Sequence, residues 1–166
     1  MTITVRIATA IAIGVGATVF IDAWNLLLER LFGVASLNYC LLGRWVGHMP
    51  GGVFRHRAIR SAPAKPFECV LGWITHYGIG IGLAIAFVFA IAPDWIVQPR
   101  LMPALLYGLA TVAFPLFVVQ PSLGLGIASS ATPHPTQARI KSLGTHTVYG
   151  LGLYAWGYMA SFLVVR

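Results

Sequence analysis

The sequence predicts an all-α integral membrane protein, built as a bundle of four membrane-spanning helices. Three observations lead to this prediction: 58% of the 166 residues are hydrophobic, only 9% are charged, and the mean hydropathy is +0.81. Soluble domains carry about 25% charged residues because their surfaces face water. The composition therefore excludes a soluble or disordered protein, and we expect no nucleic acid as a partner despite the pI near 10.0.

Four apolar stretches are long enough to cross a bilayer, which takes about 20 apolar residues per helix. They cover approximately residues 7–28, 70–92, 101–120 and 143–165, and we treat residues 1–166 as a single transmembrane domain. The first stretch follows Arg6 as a signal peptide would. It continues past Asp22 into 26–28 without a small-residue cleavage pattern, so we interpret it as an uncleaved span.

The distribution of basic residues predicts the orientation. Of the 11 Lys and Arg residues, six lie between the first two spans and two between the last two, whereas Arg6, Arg100 and Arg166 lie elsewhere. The positive-inside rule then places both termini outside and the long first connection in the cytoplasm, with anionic lipids as a partner. Cys40 and Cys69 would face the reducing cytoplasm, so we expect no structural disulfide between them.

The sequence of the first cytoplasmic connection predicts an amphipathic helix at the membrane interface. Ser36 is its predicted N-cap, and the Pro-Gly-Gly sequence at 50–52 is predicted to end it. Its apolar residues recur at helical spacing: Leu37, Leu41, Leu42, Trp45, Val46 and Met49. Four arginines of this connection are candidates for contact with lipid headgroups or another anion: Arg44, Arg55, Arg57 and Arg60. The alternative, more specific interpretation is that this cluster binds a phosphate-bearing ligand.

An internal repeat predicts two tandem helical hairpins. A shift of 93 positions places 17–19 on 110–112 and 33–36 on 126–129, and His76 and His146 both lead into glycine-rich runs. The alternative is chance similarity in a chain rich in Ala, Gly and Val. Gly78 and Gly82 form a small-xxx-small pair of the kind that lets membrane helices pack closely, within the chain or against another copy.

One candidate site lies within the predicted spans. Thr18, Asp22, Asn25 and Glu29 form a stripe on one helix face, and Asp22, His76 and His146 fall at similar predicted depths on three helices. Tyr149 shares a face with His146 and with Ser142. An Asp–His pair across helices exchanges protons near neutral pH, and the same groups also bind small ligands.

These polar residues can also be interpreted as having purely structural roles. Asp22 would lie at the interface if the first span were shifted, and the histidines would then only hydrogen-bond neighbouring carbonyls. Cys40, His48, His56 and Cys69 lack a recognised metal spacing, so we predict no metal site, although haem or metal ligation by His76 and His146 stays open. No catalytic motif occurs, so we assign no catalytic residue and no cofactor.

Two regions resemble an uncharacterised bacterial membrane-protein family, domain of unknown function 2938. The first comprises 36–39, 43–45, 47–48 and 54–56, and the second comprises 120–124, 132–133 and 138–139. The resemblance covers nearly the whole chain and implies a small multi-spanning inner-membrane protein. It implies no activity, cofactor or catalytic residue.

We therefore expect a transporter-like or channel-like protein in which Asp22, His76 and His146 handle protons or a small ligand. The alternative is a non-catalytic accessory or assembly subunit of a larger membrane complex. A homo-oligomer or such a complex is expected in either case, because a bundle this small rarely encloses a solute path. An enzyme acting on a lipid-soluble substrate is a third, weaker possibility.

Overall fold

The computed structural model describes residues 1–92 and 94–164, and the described chain is helical without strands. The α-helices are α1 (Ile3–Phe32), α2 (Tyr39–His48), α3 (Glu68–Ala86), α4 (Leu101–Ala110), the short α5 (Gln120–Ser122) and α6 (Pro135–Val164). A π-helical turn at Phe87–Ile91 continues α3. The all-α prediction is confirmed. The predicted last span ends at Val165, which lies outside the described residues.

Three segments in the described chain are long and apolar enough to cross a membrane: Ile3–Phe32, Glu68–Ile91 and Leu101–Ser122. The third of them combines α4 with a π-helical turn at Pro115–Val119 and α5. Pro115 begins this turn, as expected of a residue that lacks a backbone N–H. The 30-residue α6 is as long as α1 but is not among the three, since its sequence is rich in Tyr, Gly and other weakly apolar residues.

The chain forms two compact units, and glycines bring the helices of the first into backbone contact. This unit comprises Met1–Ser36, Tyr77–Thr111 and the chain from Thr145 onward. A Cβ on Gly14 would lie 2.7 Å from Ile81 Cα, and a Cβ on Gly108 would lie 2.5 Å from Gly150 Cα. Helices approach this closely only where side chains are absent, which is the typical solution for membrane helices.

The two halves of the first unit share a hydroxyl contact pattern. Thr18 donates to the Gly14 carbonyl at 2.8 Å, and Thr111 donates to the Gly108 carbonyl at 2.6 Å. Thr18 and Thr111 are the residues that the repeat aligns. In each half a threonine hydroxyl thus bonds a glycine carbonyl of its own helix, four residues earlier for Thr18 and three for Thr111, and the tandem hairpins stay a prediction.

The second unit comprises Leu37–His76 and Val112–Gly144, so it contains most of both basic connections. His56 N–H donates to Ser122 O at 2.8 Å, and Ile59 N–H donates to Leu123 O at 3.1 Å. A small hydrophobic core packs beside these hydrogen bonds. Its buried side chains are Leu42, Trp45, Ile59, Val119 and Leu123. The two connections therefore pack together, and their placement on one side of a membrane stays a prediction.

The predicted helix in the first connection exists, but its predicted cap is wrong. Asn38 caps α2, because its side-chain oxygen accepts from the Cys40 N–H at 2.9 Å. Ser36 instead donates to Glu29 Oε2 at 3.4 Å. The helix ends as predicted, where 3₁₀ turn Met49–Gly51 leads to Gly52 in the left-handed region at φ 77°.

The expectation of no disulfide is also wrong, because Cys40 and Cys69 are bonded to each other. The cause is the crossing of α2 and α3. A Cβ on Gly43 would overlap the Glu68 carbonyl, and one on Gly72 would overlap the Tyr39 carbonyl. This backbone contact brings the first turns of the two helices together, and one cysteine lies in each of them.

We expect Gly108→Ala to lower the free energy of unfolding by about 1–3 kcal/mol, because the added methyl group meets the backbone of α6. Thermal unfolding of the purified protein in detergent measures the effect. Gly78→Ala is the matched control, since a Cβ there meets no atom within 4 Å. Equal melting temperatures for both variants would contradict the glycine contact.

Candidate functional site

The first unit holds an ionisable pair between two helices that qualify as membrane spans. The Tyr77 hydroxyl donates to Asp22 Oδ2 at 2.8 Å, from the middle of α3 to the second half of α1. A charged carboxylate inside the membrane costs at least about 2.5–3.5 kcal/mol, and a hydrogen-bond donor offsets part of this cost. The bond therefore gives Asp22 a specific partner on another helix.

The stripe that contains Asp22 includes a buried polar atom without a partner. Asn25 is 8% exposed, and its Oδ1 accepts no hydrogen bond among the described residues. Thr18, also buried, is satisfied by the Gly14 carbonyl. Buried acceptors are rarely left unbonded, so Asn25 marks a place that suits a hydrogen-bond donor from outside the chain.

The histidine of the second hairpin is bonded to a threonine. His146 Nδ1 lies 2.8 Å from Thr111 Oγ1, and Thr111 donates its hydroxyl hydrogen to the Gly108 carbonyl. Which of the two atoms donates in this contact depends on the tautomer of His146, and in the tautomer with the hydrogen on Nδ1 the other ring nitrogen, Nε2, is an acceptor.

Two tyrosines connect helices of the first unit through backbone carbonyls. Tyr149 donates to Gly80 O at 2.6 Å, and Tyr107 donates to Leu83 O at 2.8 Å. Tyr149 is 1% exposed. Its hydroxyl is therefore committed to α3, which makes Tyr149 a positioning residue for the helices around His146.

His76 belongs to the second unit. Its ring stacks on Tyr39 with a centroid distance of 4.2 Å, and its edge faces Trp73 at 5.9 Å. The structure thus places Asp22 and His146 in the first unit and His76 in an aromatic cluster of the second. That the three residues share one site stays a prediction.

Arg44 differs from the other arginines of the first connection. It makes two bonds to the Glu68 carboxylate, at 2.7 and 2.8 Å, and its Nη1 donates to carbonyls of 59–62. The hydrogen bond to Glu68 raises the pKa of Arg44. Arg44 therefore fastens α2 to α3 and to the following loop, whereas Arg55, Arg57 and Arg60 are exposed.

A histidine pair lies beside the exposed arginines. The rings of His48 and His56 meet edge to face at 4.9 Å, and His48 Nε2 lies 3.0 Å from Pro63 O. Burial lowers the pKa of His56, and the nearby His48 lowers it further. Both effects favour the neutral form of His56, whereas the exposed arginines of this loop carry positive charge.

No cluster of three or more His, Cys, Asp or Glu residues that could hold a metal ion occurs in the described part of the chain. The disulfide also removes Cys40 and Cys69 as free ligands beside His48 and His56.

Sequence reasoning missed Tyr77 and Thr111 as partners of Asp22 and His146. The repeat carried a signal for Thr111, because it aligns that residue with Thr18 of the polar stripe. Nothing in the pattern singled out Tyr77, since tyrosine is common in membrane helices and its partner is 55 positions away.

The fold and these contacts define a helical protein with several helices suited to a membrane. The chain belongs to the family described as protein of unknown function (DUF2938), which it matches over residues 11–160. No curated protein and no solved structure matches the chain.

Proposed function

We propose that this protein is a small transporter-like or channel-like protein of the bacterial inner membrane that handles protons or a small hydrogen-bonding ligand. The observation that carries the proposal is the bond of Tyr77 to Asp22, a carboxylate within a helix suited to span the bilayer. The proposed topology has four spans, with α6 as the fourth and both termini periplasmic.

The chemistry of the Asp22 environment supports proton exchange. The Tyr77 hydroxyl donates to the Asp22 carboxylate, and a hydroxyl can also accept a hydrogen bond, so the pair offers both a donor and acceptors to an incoming water or ligand. The unbonded Asn25 Oδ1 on the same stripe suits a water molecule, a hydronium ion or a ligand N–H. Intramembrane carboxylates of this kind are typical of proton and ion pathways.

The proposal gives His146 and His76 related roles. His146 offers Nε2 as an acceptor in the tautomer with the hydrogen on Nδ1. His76 precedes Tyr77 on α3, so a movement of the helix that releases Tyr77 from Asp22 also moves His76. The two histidines are thus the proposed next acceptors after Asp22.

We expect Asp22→Asn to reduce proton flux to the rate of protein-free liposomes, because the amide cannot exchange a proton at this position. The measurement uses reconstituted protein, an imposed membrane potential and a pH-sensitive dye inside the vesicles. Glu29→Gln is the matched control, as it removes an exposed acid from the same helix. Flux that is absent from the wild type, or equal in both variants, would contradict proton handling.

An accessory or assembly role is the second candidate, favoured by an outward stripe of small residues on α3. Gly78, Gly82 and Ala86 are exposed at four-residue spacing, and a Cβ on either glycine meets no atom within 4 Å. Gly80, on the other face, contacts Thr18. Such a stripe suits close packing against a helix of a second copy or another subunit.

We expect Gly82→Leu to abolish such assembly while leaving the monomer folded, because the new side chain projects away from the chain. Native mass spectrometry of gently extracted protein measures the oligomer and any subunit that is retained. Val70→Leu is the control, since Val70 is exposed on the same helix but lies twelve residues, about 18 Å along the axis, before Gly82. An assembly that survives Gly82→Leu would exclude this surface.

We also propose that the second unit contacts anionic lipid headgroups. Seven of its residues are basic and only Glu68 is acidic, and Arg44 neutralises Glu68. Exposed phenylalanines adjoin the charges, with Phe54 61% and Phe67 83% exposed. Basic residues beside exposed aromatic ones suit the boundary between headgroups and acyl chains.

The combined variant Arg55→Gln, Arg57→Gln and Arg60→Gln should retain fewer anionic phospholipids, since each arginine near the surface contributes about 1 kcal/mol. Native mass spectrometry counts the retained lipids. Arg100→Gln is the control, because Arg100 is exposed but belongs to the other unit. A lost mass that is not a phospholipid would point to a phosphate-bearing ligand, and unchanged retention would overturn both.

A further inference from the structure

The disulfide joins the first turns of two helices at an accessible place. Cys40 lies in the turn of α2 that Asn38 caps, and Cys69 is the second residue of α3. Cys69 is exposed and Cys40 is partly buried. A reagent can therefore reach the bridge without prior unfolding of the protein.

The surroundings of the bridge favour negatively charged sulfur. Helix N-termini carry partial positive charge, which stabilises a thiolate in the first turn. The unit around the bridge has seven basic residues, and its one acid is paired with Arg44. Stabilised thiolates act both as nucleophiles and as leaving groups, so the two cysteines suit formation of the bond and its cleavage.

The contact of α2 with α3 does not depend on the bridge alone. Arg44 and Glu68 form a two-bond ion pair, and Gly43 and Gly72 bring the backbones together. Opening the disulfide leaves these contacts in place. Gly72 packs against the Tyr39 carbonyl in either state, so the bridge adds a second, covalent restraint next to Tyr39, whose ring stacks on His76.

The basic charge of the second unit favours the cytoplasm, whereas a persistent disulfide favours an oxidising compartment outside it. The positive-inside rule places the basic connections in the cytoplasm, where persistent disulfides are rare and those that occur are transient, catalytic or redox-sensing. We propose that Cys40 and Cys69 are a reversible dithiol–disulfide pair, closed by a peroxide and opened by a cytoplasmic dithiol, that controls the stacking of Tyr39 on His76.

Cys69, the more exposed cysteine, reacts first. Its thiolate attacks one oxygen of hydrogen peroxide and forms an S–O bond. The O–O bond breaks, hydroxide departs, and Cys69 becomes a sulfenic acid. The Cys40 thiolate then attacks the Cys69 sulfur, and the S–O bond breaks to release a second hydroxide. The two hydroxides and the two thiol protons give two water molecules. An external dithiol reverses the bond by two successive exchanges and is itself oxidised.

The test counts free thiols on the full-length protein in bacterial cells that are quenched with acid and labelled with a maleimide polymer. We expect two labels in untreated cells, none after hydrogen peroxide, and two again after recovery. A bridge that is already closed in untreated cells and stays closed would show a permanent structural disulfide. Two labels that persist after peroxide would show that the pair does not close; either result overturns the proposal.

Single variants test the order of the two steps. In Cys40→Ser, peroxide should leave a sulfenic acid on Cys69 that a 1,3-dione reagent traps, whereas Cys69→Ser should give little trapping. Equal trapping in the two variants would overturn the assignment of Cys69 as the first thiol. Melting temperatures of both variants, compared with the reduced wild type, verify that each remains folded.

Discussion

Backbone contact at glycine is the constraint on which the rest of the structure depends. Between helices in lipid there is no hydrophobic driving force, so association depends on close packing and on hydrogen bonds. Gly14, Gly108 and Gly150 bring backbones together in the first unit, and Gly43 and Gly72 do so in the second. The hydroxyl contacts follow from this proximity, because Tyr149 and Tyr107 reach carbonyls of a neighbouring helix only at such distances.

The polar groups of the first unit then divide into two kinds. Tyr107 and Tyr149 donate to backbone carbonyls of α3 and fasten helices to one another, whereas Thr18 donates to a carbonyl of its own helix. Asp22 and Asn25 differ, since one is an ionisable group bonded to a second ionisable group and the other keeps a buried acceptor without a partner. The Tyr77–Asp22 bond also joins α3 to α1, so what favours proton or ligand handling is that its acceptor is an ionisable carboxylate and that the nearby Asn25 Oδ1 stays unbonded.

The second unit combines charge with covalent restraint. Its arginines are not equivalent, because Arg44 is used internally while Arg55, Arg57 and Arg60 face outward. The disulfide and the Arg44–Glu68 pair hold α2 on α3 by independent means, one sensitive to redox conditions and the other to ionic strength. The stacking of Tyr39 on His76 lies next to the disulfide and to the ion pair. Both restraints are therefore close to His76, a residue of the predicted site.

The sequence by itself determined the helical class and the apolar segments, because composition acts through solvation and needs no knowledge of contacts, and its local motifs pointed to the family. It also marked Asp22 and His146, since polar residues in apolar runs are conspicuous. Only the tertiary structure decided which residues meet: Tyr77 with Asp22, Thr111 with His146, and Cys40 with Cys69. Such pairings depend on the register at which helices cross, which is set by small differences in packing between many glycines. A local pattern carries no information on that register. The disulfide was excluded on the predicted compartment, and the crossing of α2 and α3 overrides that argument. The cap was placed at Ser36 rather than Asn38 because both residue types cap helices, and the helix begins only at Tyr39.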